Sequence, residues 1–251
     1  MYKWQIFFLN SHSVITFAHK EFRMKLIVIE GLDGSGKSTQ IKLLKNFYEA
    51  RNKKCEFLHF PRTDRPWFGE LIARFLRGEF GSLNEVDPYL VAMLYAGDRK
   101  DAAGMIKSWL NEGKVVLLDR YTYSNIAYQC AKLNDEKKQE ELKKWIFELE
   151  FEYFKIPRPD INLFLDVPFN FVESKLSTKR KGDDRKYLNG KNDIHESSLA
   201  YQMRVREMYL KVAETDPLVE VVNCSDTEGK ILPPDIIFRI IINILEQKNL
   251  T

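Results

Sequence analysis

Residues Gly31-Leu32-Asp33-Gly34-Ser35-Gly36-Lys37-Ser38-Thr39 follow the apolar run Leu26-Ile27-Val28-Ile29 and precede Gln40-Ile41-Lys42-Leu43-Leu44. A glycine, four residues and then Gly-Lys-Ser, set between a strand-like and a helix-like segment, is the pattern of a phosphate-binding loop. Glycines at 31, 34 and 36 let the backbone curl so that successive N–H groups converge on phosphate oxygens. The helix that follows adds its positive N-terminal end. All of Gly31, Asp33, Gly34, Ser35, Gly36, Lys37, Ser38 and Thr39 are therefore candidates for nucleotide binding, with ATP as the expected co-substrate. Lys37 would bring a mobile charge to the β- and γ-phosphates. The Ser38 hydroxyl is the expected ligand of Mg²⁺.

Outward from this loop, apolar β-rich runs alternate with longer helical patterns, which predicts an α/β fold with a parallel sheet covered on both faces. Strands are expected at Lys25–Glu30, Cys55–Phe60, Val115–Leu118, Ile161–Leu165 and Val219–Asn223. One helix follows the loop to about Ala50. Others are expected at Pro66–Arg77, Pro88–Asn111, Ser124–Ala131, Glu136–Phe154, Asn170–Thr178, Ile194–Glu214 and Asp235–Gln247. The result is a P-loop three-layer α/β/α domain with a five-stranded sheet over 24–251. The basic stretch about 179–192 lies between two helices and reads as a lid over the phosphates. Residues 1–23 carry no pattern that ties them to this core and read as an extension, with Met24 standing directly before the first strand. His195 reads as a helix-start residue with no role.

The 251 residues carry a net charge of +3, with 44% apolar and 30% charged residues. That balance is ordinary for a globular protein and too weakly basic to indicate nucleic acid as a partner. No apolar run approaches the roughly 20 residues of a membrane span, so no membrane partner is expected. Cys55, Cys130 and Cys224 have no metal-like spacing, and reduced thiols in a cytoplasmic enzyme are the simplest expectation.

The third strand ends in Val115-Val116-Leu117-Leu118-Asp119-Arg120-Tyr121. Ligands of an open parallel sheet bind beyond the carboxyl ends of its strands, so Asp119 and Arg120 are expected beside the phosphate loop. A carboxylate there can hold Mg²⁺ or its waters, and a guanidinium can clamp a phosphate through two bonds.

Asp119-Arg120-Tyr121 followed by Ser124, Ala127 and Tyr128, together with the loop, resembles the thymidylate kinases. His59-Phe60-Pro61-Arg62, Leu94-Tyr95-Ala96-Gly97-Asp98-Arg99 and Tyr187-Leu188-Asn189-Gly190 also resemble segments of that family, so the likeness runs from Lys25 to about Gln247. The resemblance implies transfer of a phosphoryl group from ATP to dTMP, with Mg²⁺, in a homodimer whose interface could include the apolar helix from Ser124. It implies that Asp33 accepts a hydrogen bond from the acceptor sugar. Arg62 and Arg120 would hold the acceptor phosphate, near Phe60. Tyr95 would stack on thymine and Arg99 would bond its O4. Ser124 and Tyr128 would line the base and sugar edge, and Tyr187 would be a lid aromatic near the base. The segment from Phe60 to Gly69 is one residue longer than the family pattern, which leaves Thr63 and Arg65 as alternatives to Arg62.

The resemblance further places Lys37, Asp119 and Arg120 among the catalytic residues. In some members an arginine follows the loop's acid and serves the transferring group. Here that position is Gly34, so the cation is expected from the lid, as Arg180 or Arg185. Two alternatives stand beside this reading: a kinase of the same fold acting on another nucleoside or nucleotide, and a protein that holds ATP without transfer.

Overall fold

The computed structural model describes residues 25–177, 187, 188, 190, 193–195 and 198–251. The expected extension 1–23, and Arg180 and Arg185 of the expected lid, lie outside the described residues. Five strands form one parallel sheet: β1 (Lys25–Glu30), β2 (Cys55–His59), β3 (Val115–Asp119), β4 (Ile161–Asp166) and β5 (Val219–Asn223), in the order β2-β3-β1-β4-β5. The helices are α1 (Lys37–Glu49), α2 (Phe68–Leu76), α3 (Pro88–Asn111), α4 (Thr122–Cys130), α5 (Glu136–Phe147), α6 (Phe169–Ser177), α7 (Leu199–Thr215) and α8 (Pro234–Gln247).

Central strands β1 and β3 are apolar along their length because both faces are covered, and the period of two sends alternate residues to opposite layers. Leu26, Val28, Val116 and Leu118 pack with Ala102, Ala103, Ile106 and Leu110 of α3. Ile27, Ile29, Val115 and Leu117 turn the other way, into a cluster with Ile41 and Leu44 of α1 and Ile237 and Ile241 of α8. Register then builds the functional edge. Ile29 of β1 pairs with Asp119 of β3, and Asp119 pairs with His59 of β2. The last residues of three neighbouring strands therefore reach the same rim of the sheet, directly beneath the Gly31–Gly36 loop.

Three expectations need correction. The helix predicted over Glu136–Phe154 is not one α-helix, since α5 gives way to a π-helical stretch at Glu148–Tyr153. The helix predicted from Ile194 begins only at Leu199, where the Ser198 side chain accepts a hydrogen bond from the Tyr201 N–H. Most consequentially, α4 cannot serve as a dimer interface. Every residue from Thr122 to Cys130 is buried inside the single chain. Its apolar residues fill a slot among α3, α5 and α7.

Candidate active site

The phosphate loop is shaped by backbone that only glycine takes easily. Gly31 sits at φ 150°, and a Cβ there would lie 2.6 Å from the Ser35 hydroxyl. Lys37 opens α1 and folds back over the loop, its Nζ donating to the Leu32 carbonyl at 3.0 Å and lying 4.0 Å from Asp119 Oδ1. Burial first, and then the nearby Arg120 charge, pulls the Lys37 ammonium below its usual range. An arriving polyphosphate reverses that balance by supplying negative charge.

Asp119 is hydrogen-bonded on one side only. Its Oδ2 lies 3.2 Å from His59 Nδ1, whereas its buried Oδ1 has no hydrogen-bond partner. Burial pushes this carboxyl up, yet the Lys37 charge and the His59 hydrogen bond outweigh it and hold the group below the usual carboxylate range. An ionised carboxylate oxygen with no hydrogen-bond partner suits a hard divalent cation, and Mg²⁺ usually takes one or two protein oxygens beside phosphates and water. The described residues contain no cluster of three acidic, histidine or cysteine side chains that could hold a metal by themselves. Ser38, exposed on the first turn of α1, stands on the same loop.

Arg120 has φ 67° in the left-handed region, where a non-glycine residue persists only if its surroundings enforce it. Its N–H donates to the Ile29 carbonyl at 3.0 Å. The side chain then spans from the loop to α4: Nη2 reaches Asp33 and the Tyr128 hydroxyl, each at 3.0 Å, and Nη1 reaches the Ser124 hydroxyl at 3.2 Å. Tyr128 also donates to Asp33 at 3.3 Å. Asp33, Arg120, Ser124 and Tyr128, which the sequence placed together, are thus one connected group. The Ser124 hydroxyl is committed to scaffolding. It donates to Glu30, which also accepts from the Tyr209 hydroxyl at 2.9 Å and the Tyr121 N–H at 2.9 Å.

Beside this group lies a cavity of about 640 Å³, lined among others by Phe60, Arg62, Tyr95, Arg99, Tyr128 and Tyr187. All the acceptor residues expected from sequence thus border one space. Two of them differ from expectation in what they hold. Arg62 is fastened by Asp98, with Nε to Oδ1 at 2.8 Å, and its Nη2 donates to the Asp98 carbonyl and to Asp101, each at 2.7 Å. Arg99 forms a two-bonded pair with the fully buried Glu150, each bond 2.6 Å. Glu150 comes from the π-helical stretch, which turns a carboxylate into the layer between α3 and α4, and it also accepts from Thr122 at 2.9 Å and Asn125 at 3.1 Å.

Asn125, Gln129, His195 and Arg65 also line the cavity, and the sequence reading gave the first three no part in it. Asn125 spends its amide donors on the Ala92 carbonyl and Glu150, which fixes its Oδ1 as an acceptor with no protein partner. Its position next to Ser124 was the available signal. Arg65 is exposed at the rim, and its guanidinium makes no hydrogen bond to a described residue. Tyr187 donates to Asp193 at 2.7 Å, and its carbonyl accepts from Arg77 at 2.7 Å.

Comparison with known proteins fits this geometry. The model of the thymidylate kinase family matches residues 29–231. The chain belongs to the thymidylate kinase family. A probable thymidylate kinase of Thermococcus kodakarensis is 37% identical over 205 residues, covering 80% of this chain and 89% of the relative. The thymidylate kinase of Mycobacterium tuberculosis strain H37Rv is 31% identical over 188 residues, covering 75% and 85%. Among solved structures, the thymidylate kinase of Candida albicans superposes with a TM-score of 0.66 at 27% identity, covering 90% of this chain and 92% of that one.

Proposed function

We propose that this thymidylate kinase binds ATP at the Gly31–Thr39 loop and dTMP in the adjoining cavity, and transfers the γ-phosphoryl group to give ADP and dTDP. Arg120 carries the reading. One guanidinium, held by strained backbone, links the loop's Asp33 to the cavity's Tyr128, so donor and acceptor phosphates meet at a common cation. Both reactants are anions, and the protein's task is positioning and charge neutralisation rather than covalent chemistry. Lys37 neutralises the β- and γ-phosphates. Arg120 turns from Asp33 to hold the acceptor phosphate in line. Arg65, unengaged at the rim, takes the second hold on that phosphate in place of Arg62, whose Nε and Nη2 are spent on Asp98 and Asp101. A lid arginine, Arg180 or Arg185, serves the transferring group, because Gly34 leaves the loop without one.

Ser38 and the unpartnered Asp119 Oδ1 would hold Mg²⁺, which supplies charge neutralisation at the phosphates. In the cavity, Tyr95 stacks on the base and Arg99 approaches its O4. Asn125 Oδ1 accepts the ring N–H that thymine carries and cytosine lacks. Tyr128 crowds the sugar.

ADP release measured across dTMP, dUMP, dCMP, dGMP and thymidine tests this reading. Turnover is expected with dTMP, with dCMP slower by roughly tenfold or more, the cost of facing two acceptors across a buried site. Thymidine should be inert as acceptor. Turnover on thymidine without turnover on dTMP would overturn the proposal.

We also place the homodimer contact on α3 and the turn before α2. Leu90 and Met93 are 56% and 43% exposed, and Trp67 is 79% exposed. Next to them Phe68 lies against Gly97, where a Cβ would come within 2.2 Å of its ring.

A further inference from the structure

His195 lies in the segment between the basic stretch and α7, 6% exposed, and it lines the same cavity as Arg120 and Tyr95. Its backbone is pinned: its N–H donates to Asp193 Oδ1 at 2.7 Å, its carbonyl accepts from Gln202 at 2.7 Å, and the Ile194 N–H donates to the Leu76 carbonyl at 3.0 Å. Its ring stands among those of Phe75, Tyr95, Tyr128 and Tyr201. Nothing in that surround satisfies Nε2, which is buried without a hydrogen-bond partner. A buried polar atom left so costs stability, and aromatic neighbours explain the ring but not the choice of histidine. Burial and the neighbouring Lys132 charge hold the imidazole well below its usual protonation range, so one ring nitrogen donates and the other accepts.

The relation to Tyr95 gives the ring a use. The two rings are nearly parallel, 16° apart in plane, with centroids 6.5 Å apart. A base that stacks on Tyr95 therefore lies parallel to the His195 ring as well. We propose that His195 is a specificity-determining residue of the acceptor site, standing beside the thymine base that stacks on Tyr95 and offering its unpartnered nitrogen to the base edge. The inference rests on dTMP occupying this cavity. It assigns the segment before α7 a direct part in reading the base.

Three variants test it, with equilibrium dissociation constants for dTMP and ATP and the thermal midpoint as readouts. His195→Phe keeps an aromatic ring and removes the polar atom. Affinity for dTMP should fall about five- to tenfold, the scale of one hydrogen bond to a neutral group, while ATP affinity holds and the midpoint stays or rises. His195→Gln, which reaches the same space with an amide, should recover most of the loss. Tyr95→Ala reports on the cavity itself. If Tyr95→Ala weakens dTMP while His195→Phe does not, the inference fails and the acceptor assignment stands. If neither variant weakens dTMP, both fail. A histidine kept only for packing predicts a lower midpoint for His195→Phe and equal losses for both ligands, and that result overturns the inference. Should His195→Phe not fold, His195→Leu takes its place: a five- to tenfold loss of affinity for dTMP alone supports the role, and no loss, or equal losses for dTMP and ATP, refutes it.

Discussion

At Arg120 a strained backbone and a side chain bonded to three partners meet, and the strain is informative. The left-handed φ points the guanidinium back across the loop, and removing it should separate acceptor from donor. Arg120→Ala is expected to raise KM for dTMP by about ten- to hundredfold, matching the roughly 1.5–3 kcal/mol of charge-assisted bonds to a phosphate. KM for ATP should change little, and an equal rise in both constants in steady-state assays would place Arg120 on the donor side. Lys132 illustrates the opposite case of a charge without a task. Its Nζ is buried with no hydrogen-bond partner and sits 4.8 Å over the Phe75 ring. Burial pulls it down from 10.5 to about 7. Between those values the unfolded chain binds a proton that the folded chain has released, so this group's contribution to stability rises with pH across the window. Lys132→Met should raise the melting temperature at pH 7, and the gain over wild type should shrink toward pH 10. A gain that is constant with pH would show that Lys132 is charged in the fold.

Among the elements, the π-helical stretch Glu148–Tyr153 does the most with the least sequence signal. π turns concentrate at functional sites, and this one delivers Glu150 to Arg99, Thr122 and Asn125 together. Glu150→Gln leaves Arg99 buried without its counter-charge, which should cost about 3–5 kcal/mol in denaturant unfolding. The double change Arg99→Met with Glu150→Met should restore much of that stability while leaving dTMP affinity impaired. Recovery of both would mean that Arg99 has only a structural part. The phosphate loop, the strand limits within a residue or two, and Asp119-Arg120 were legible because local spacing encodes them. Partnerships were not. Arg62 and Arg99 read as free cations, since their acids Asp98 and Asp101 lie 36 and 39 residues away from Arg62 and Glu150 lies 51 from Arg99. The apolar residues of α4 read as an interface, because hydrophobicity signals burial without naming the partner. His195 read as idle because its meaning depends on four rings from four other segments.

For the molecule as a whole, the proposed homodimer requires a contact surface. With α4 enclosed, exposed apolar side chains on α3 and the turn before α2 include Trp67, Leu90 and Met93, and solvent-facing apolar side chains of this kind, where they form a patch, mark association surfaces. Leu90→Glu with Met93→Glu should convert a dimer to a monomer in analytical ultracentrifugation without loss of the folded midpoint. A variant that stays dimeric would move the contact elsewhere. The strand order carries a different consequence, for synthesis. β1 is made first and lies at the centre of the sheet, yet β3 pairs with it only roughly 90 residues later and β4 roughly 130 residues later. At about 5–20 residues per second of translation, the Leu26–Ile29 segment leaves the ribosome many seconds before either neighbour exists. During that interval the nascent chain displays a sticky, unpaired strand, so slow codons placed between β1 and β3 should lower the yield of native protein unless a chaperone shields the gap.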